Sequence, residues 1–393
     1  LLNRTMKKWT SLTLIMILLF TSGLQGVFAA NNESPMTFKD LPAGHWAAKA
    51  MIRWSNSGII QGYKDGTIRP NQPITRAEFV TIMNRVFGYE IESKEIIQDA
   101  PVSAWYHNNF SIALEAGYMK LDADHNIHPV TPMSRAETVL ALDSILKISQ
   151  TNKASHATFS DMSELDAETL QAIDALTSSG YIKGLPGNKF KPDNTLTRAE
   201  LISMLDRMIQ LFAQAAGKYS SKAISGNVVV NHAGVILEDA VIDGNLYLTE
   251  GIGQGDVTLN RVTVKGKTFI RGGGENSITV NDSHLGEVEV NKKDNKVRIH
   301  VTGSSTVDSV HTISGANLEG HFTKVTMGLN GSGIEEEIVI ITGTVDELIV
   351  SGKVRIILSE NTVVKKLILS ADAGSSTIEG KGTINSIENK ADE

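Results

Sequence analysis

The chain has 393 residues, 41% of them apolar and 21% charged, a globular composition that excludes wholesale disorder and collagen-like repetition and leaves room for roughly two to four domains. Cysteine is absent, so disulfide frameworks, thiolate zinc sites, iron–sulfur clusters and cysteine nucleophiles are excluded together. With 37 Lys and Arg against 44 Asp and Glu, a net charge of −7, nucleic acid and anionic lipid are poor candidates for the main partner.

Met6-Lys7-Lys8, an apolar run from Leu12 to Phe20 and the small residues of Val27-Phe28-Ala29-Ala30 predict a secretory signal over residues 1–30. The run is shorter than the ~20 residues that span a bilayer. The expectation is therefore an exported protein with no membrane insertion after cleavage. An exported chain without cysteine suits a Gram-positive surface.

All nine prolines lie between Pro35 and Pro192 and all four tryptophans before Tyr106, whereas 22 of the 34 glycines follow Lys218, among short runs of Val, Ile and Thr. The first half is expected to be helical and the second β. The segment Ala213–Lys218 is the expected join, ending a helix in a glycine stop.

Sliding the chain by 59 residues superposes Asp40 on Asp99, Trp46 on Trp105, Gly58 on Gly117, Asp65 on Asp124, Pro70 on Pro129 and Arg76-Ala77-Glu78 on Arg135-Ala136-Glu137. A third copy carries Gly180, Gly184, Pro192 and Thr197-Arg198-Ala199-Glu200. Each unit reads as a short helix, a glycine-containing loop and a second helix. One such pair cannot bury its apolar face alone, so three should pack around a shared core. The expected divisions are 31–92, 93–152 and 153–217, followed by a β domain over 218–393.

Thr75, Ser134 and Thr197, each followed three residues later by Glu, match the capping box. The Arg at the first helical position has two readings. Beside free helix N-terminal amides it is a receptor for carboxylate or phosphate; alternatively it pairs with an acid of the neighbouring repeat. On the first reading, Arg76→Ala weakens ligand binding more than it lowers the melting temperature. Trp46 and Trp105 read either as core residues, which base rates favour, or as flat faces for a sugar ring. Asp65 in Gly62-Tyr63-Lys64-Asp65-Gly66 is by type a turn-former.

Phe38-Lys39-Asp40, His45-Trp46-Ala47, Gly58 through Pro70 and Ile74-Thr75-Arg76-Ala77-Glu78 together resemble the motif of the S-layer homology (SLH) family, in three tandem copies over about residues 37 to 212. The resemblance implies an all-α, pseudo-threefold helical trimer that binds secondary cell-wall polymer linked to peptidoglycan, through a pyruvylated N-acetylmannosamine unit. By that carry-over Arg76, Arg135 and Arg198 face the ketal carboxylate in grooves between repeats, with Trp46, Asp65 and Gly66 lining the groove of the first. The second copy departs at Leu121-Asp122-Ala123-Asp124-His125. The third departs at Leu185-Pro186-Gly187-Asn188 and carries Ala167-Glu168 where the His-Trp pair would stand.

After residue 220, segments beginning at Val235, Val257 and Ile278 recur at 22 and 21 residues, and those at Thr344 and Val363 more closely. This period predicts a parallel β-solenoid; a β-sandwich is the competitor. Asp239, Asp243, Asp256 and Asp282 are the carboxylates a solenoid enzyme would draw on, although solenoid turns use the same residues. The histidines His232, His284, His300, His311 and His321 lack helical metal-ligand spacing, so neither a metal nor a cofactor is expected. The sequence thus predicts a non-enzymatic, wall-anchored bacterial surface protein, with the solenoid as spacer, lattice or adhesion element and self-assembly open. The alternative is a wall-tethered polysaccharide lyase or hydrolase.

Overall fold

Three capping boxes organise the first half. The computed structural model describes residues 37–148, 159–328, 337–374 and 376–390; the expected export signal and the last three residues lie outside them. Among the described residues the first half holds six α-helices in three pairs: α1 (Ala48–Asn56) with α2 (Arg76–Phe87), α3 (His107–Ala116) with α4 (Arg135–Leu146), and α5 (Ala167–Ser178) with α6 (Arg198–Met208). In α2, α4 and α6 the N-cap hydroxyl accepts from the third amide, at 3.2, 3.1 and 3.2 Å, while the Glu carboxylate accepts from the N-cap amide.

The residues just before these caps close a ring. Met133 N donates to Ile74 O (2.8 Å), Leu196 N to Met133 O (3.0 Å) and Ile74 N to Leu196 O (2.9 Å). The loops feeding the ring share a clamp: the carboxylates of Asp40, Asp99 and Asp161 each accept two amides, from Ile68 and Arg69, Ile127 and His128, and Phe190 and Lys191. Arg69, His128 and Lys191 all have φ between 52° and 56°. The clamp thus holds three non-glycine residues in the left-handed region that bulky side chains disfavour.

Among the described residues the second half is a single 17-stranded sheet, β1–β17, beginning with β1 (Ile209–Ala213) and β2 (Gly217–Ser220), in which every strand pairing is parallel. Successive coils stack in register. One inward column runs Leu211, Val228, Leu246, Thr268, Val288, Val310, Val325, Leu348, Leu367, Ile387. It is buried from Val228 to Leu367 and ends at the exposed Ile387. This is the expected solenoid rather than a sandwich. The predicted alignments of Val235 with Val257 and of Thr344 with Val363 are the observed pairings. Gly343 turns one corner at φ +114°, where a Cβ would lie 2.2 Å from Gly320 O; only glycine fits there.

The join differs from the sequence expectation. Helix α6 ends at Met208, and Ile209–Ala213 already pairs with Asn227–Val230. The segment Ile-Gln-Leu-Phe-Ala can continue a helix, and its long-range strand pairing decides otherwise.

Helices and solenoid share a core. Val229, Tyr247 and Phe269 lie on β3 (Asn227–Val230), β5 (Leu246–Leu248) and β6 (Val257–Ile270), yet cluster with Phe79, Phe87 and Phe110 of the helices. Tyr247 stacks on Phe269 at 5.2 Å, and its hydroxyl donates to Leu146 O at 2.6 Å. Arg271 Nη1 donates to the Tyr89 hydroxyl at 2.9 Å.

Candidate functional site: the grooves between repeats

The predicted anion receptor needed free amides at the helix starts, and these are occupied. Arg76 N and Ala77 N donate to Thr131 O and Pro129 O; Arg135 N and Ala136 N to Asn194 O and Pro192 O; Arg198 N and Ala199 N to Gln72 O and Pro70 O. Each helix start is thus capped by carbonyls of another repeat, and its third amide by its own Ser or Thr. What remains available is the arginine side chain.

The three guanidinium groups sit in unlike surroundings. Arg198 is 6% exposed; its Nη1 donates to Glu78 Oε1 at 2.9 Å, its Nε to Ile68 O and its Nη2 to Gln61 O. Arg76 Nη1 pairs with Glu137 Oε1 at 2.8 Å, while its buried Nε has no hydrogen-bond partner. Arg135, 7% exposed, donates Nε to Phe190 O and Nη2 to Lys183 O, with its guanidinium 4.8 Å from the Phe190 ring. Among the described residues no carboxylate lies within 4.0 Å of it, and burial lowers its pKa despite the field of Glu200. Pairing with an acid of a neighbouring repeat therefore describes Arg76 and Arg198 but not Arg135.

A groove of about 150 Å³ opens beside Arg198, lined among others by Ile60, Tyr63, Glu78, Arg85 and Trp105. The Tyr63 hydroxyl donates at 2.8 Å to the same Glu78 oxygen that Arg198 holds. Burial raises the Tyr63 pKa, keeping this donor protonated. The Tyr63 ring lies 3.8 Å from the Arg69 guanidinium and 5.3 Å from that of Arg198. Trp105 stands at the mouth, 65% exposed. A flat aromatic face beside an anchored carboxylate, a phenol and two guanidinium groups suits a sugar, with its apolar ring face and its hydroxyl edge.

The remaining predicted residues are placed as follows. Trp46 is 63% exposed and stacks on His45, so neither it nor Trp105 is the core residue that base rates favoured. Asp65 accepts from Thr67 N (3.0 Å), Thr67 Oγ1 (2.6 Å) and Arg69 Nη2 (3.1 Å), which together lower its pKa to about 2. Gly66 follows at φ +81°; the two build the turn that carries Tyr63. Sequence reasoning missed Glu78, which it assigned to the cap alone, and Arg85, which no repeated motif marks. Tyr63 was quoted only as part of its turn.

In the solenoid Asp239 is bidentate to Arg261 and Asp243 pairs with Lys265. Asp282 accepts from Ser304, and the Asp256 carbonyl caps Gly234 N. Among the described residues no three His, Asp or Glu side chains could hold a metal ion, and no helix is long and apolar enough to cross a membrane.

The S-layer homology domain family matches residues 37–80 and 158–202, the first and third helix pairs. The S-layer protein EA1 of Bacillus anthracis is 26% identical over 249 residues, 62% of this chain and 26% of that protein. A cellulosome-anchoring protein of Acetivibrio thermocellus is 31% identical over 134 residues, 32% of this chain and 29% of that protein. An amylopullulanase of Thermoanaerobacterium thermosulfurigenes is 26% identical over 182 residues, 45% of this chain and 10% of that protein. The chain thus spans less than a third of each of these relatives.

Proposed function

We propose that this is an exported bacterial surface protein held non-covalently on the cell wall. Its three helix pairs act as three tandem SLH repeats, and the grooves between them bind secondary cell-wall polymer through a pyruvylated saccharide. The observation that carries the reading is the groove of Tyr63, Glu78, Arg85, Trp105 and Arg198, built where repeats meet in a chain matched twice by the SLH family. The second pair, outside those matches, supports the count of three, because it has the same capping box, aspartate clamp and place in the backbone ring.

Arg76, Arg135 and Arg198 frame the grooves, Trp46 and Trp105 stack sugars, and Asp65 with Gly66 shapes the loop. No catalytic role is assigned. The solenoid, in which the carboxylates of Asp239, Asp243 and Asp282 are engaged by Arg261, Lys265 and Ser304, serves as spacer, lattice or adhesion element. Weak grooves linked in one body still anchor well on a repeating polymer.

Cosedimentation of the full chain with purified sacculi tests the reading. Native walls should retain it and walls stripped of secondary polymer should not, and Trp105→Ala should lower retention without altering the melting temperature. Equal retention on both walls would overturn it.

A further inference from the structure

The outward face of the solenoid changes character along its length. One column reads Val229, Tyr247, Phe269 and then Glu289, His311, Thr326. Its first three members lie in the helical core, and the next three are polar and partly or fully open to solvent. The apolar and aromatic stretch is thus as long as the part that the helices cover, so the docking of the two halves is written into the coil sequence and not only into their covalent join.

The same coils meet the three core helices end-on. The last carbonyls of a helix have no partner within it. Here Arg85 O near the end of α2 accepts from Asn231 Nδ2 (2.9 Å), Leu146 O of α4 from the Tyr247 hydroxyl (2.6 Å) and Met208 O of α6 from Asn227 Nδ2 (2.9 Å). The three donors are themselves fixed: Asn245 N donates to Asn227 Oδ1, Asn245 Nδ2 to the Tyr247 hydroxyl and Thr249 Oγ1 to Asn231 Oδ1. A Cβ on Gly88, at the end of α2, would lie 2.3 Å from Asn231 Oδ1 and from Gly251 Cα, so helix and coil approach there without room for a side chain. The covalent join is equally tight. Helix α6 ends at Met208 and β1 begins at Ile209, whose carbonyl accepts from Arg53 Nη2 of α1 at 3.2 Å.

We infer that the solenoid is a spar held at one fixed angle to the helical half, with Asn227, Asn231 and Tyr247 as its three struts. One bond to each helix pair resists tilt in every direction, and a hinge motion would leave helix-end carbonyls, Leu146 O and Met208 O among them, without their donors. The struts meet the C-terminal ends of the helices, while the backbone ring lies at the N-terminal ends, ~18 Å away for a helix of 12 residues. The solenoid therefore leaves the trimer opposite the ring. This deepens the anchoring reading and rests on it only for the wall: of the spacer, lattice and adhesion roles it selects the spacer, a rigid one whose tilt is set by how the helical half sits on the polymer.

Because the chain has no cysteine, Val102→Cys on the helical half, 80% exposed, and Lys381→Cys near the far end of the solenoid, with a side chain 77% exposed, take spin labels at two sites only. Double electron–electron resonance on the labelled full chain should give one narrow distance distribution, the same in solution and on native sacculi. Removing the struts together, by Asn227→Ala, Asn231→Ala and Tyr247→Phe, should broaden it while the buried Trp54 keeps its fluorescence. Should the triple variant fail to fold, Asn231→Ala alone, at the partly exposed strut, replaces it and should broaden the distribution in the same sense. A broad or two-peaked distribution with the struts intact overturns the fixed angle, and a width unmoved by their loss overturns their assignment. Failure of the anchoring reading is distinct: native and stripped sacculi then retain the chain equally, while the distance in solution stays narrow.

Discussion

Replacing Phe269 by alanine should destabilise both halves of the molecule together. Phe269 belongs by sequence to a solenoid strand, but it is 1% exposed, stacks on Tyr247 at an interplanar angle of 8°, and sits in the helical core. Its truncation removes a buried ring and leaves a cavity against Tyr247, whose hydroxyl anchors the end of α4 through Leu146 O. A buried Phe→Ala change costs about 3–5 kcal/mol. At roughly 2 °C per kcal/mol for a chain of this size, the melting temperature should fall by about 6–10 °C. The assay is thermal unfolding followed by two probes: far-ultraviolet dichroism for the whole chain and fluorescence for Trp54, which is 1% exposed on α1. Both midpoints should move by the same amount. A loss under about 1 kcal/mol, or a β signal that shifts while Trp54 does not, would refute the shared core.

Arg76→Ala should lower stability by about 1–3 kcal/mol, discounted because Glu137 is 43% exposed. It should leave sacculus retention of the folded protein within about twofold, the reverse of the order expected when all three arginines were read as anion receptors; denaturation midpoints and cosedimentation on one preparation decide it. The Asp65 carboxyl, followed by carbon NMR, should titrate near 2. Because its folded pKa lies below the unfolded value, its contribution is complete above about pH 4 and is lost as pH falls through about 2. Thr67→Val removes one of its donors and should move the titration upward.

The features visible in the sequence are those whose cause is local or periodic. The three capping boxes form as read, since Ser or Thr three residues before Glu is enough to specify them. Coil register followed from the 22-residue spacing, because one slipped residue would turn every inward side chain outward. Other features depend on partners far along the chain. The helix-start amides look free in any local window, and their acceptors lie in other repeats, Pro129 for Ala77 and Pro192 for Ala136. The alignment marked Asp40 and Asp99 as equivalent but could not show that each clamps two amides. Base rates, which speak for tryptophan in general, favoured the core for Trp46 and Trp105, whereas these two are 63% and 65% exposed and Trp105 lines a groove.

The backbone ring also separates what must stay constant from what can vary. Ring, clamps and capping boxes are satisfied almost wholly within the protein, through main-chain atoms and the Asp, Ser, Thr and Glu side chains that cap them. Positions 61, 63, 85 and 105 of the first groove and their counterparts take no part in that ring. Substituting Leu185 for Tyr63, or Glu168 for Trp105, therefore alters the charge and aromatic surface of one groove while the arginine is still delivered to the same place. The three copies already differ in this way: Arg198 is paired with Glu78, Arg135 is bonded to main-chain carbonyls, and an exposed Lys120–Glu168 pair stands where the first groove has Gln61 and Trp105. Selection for a given polymer can act on four side chains per groove without disturbing the fold that presents them.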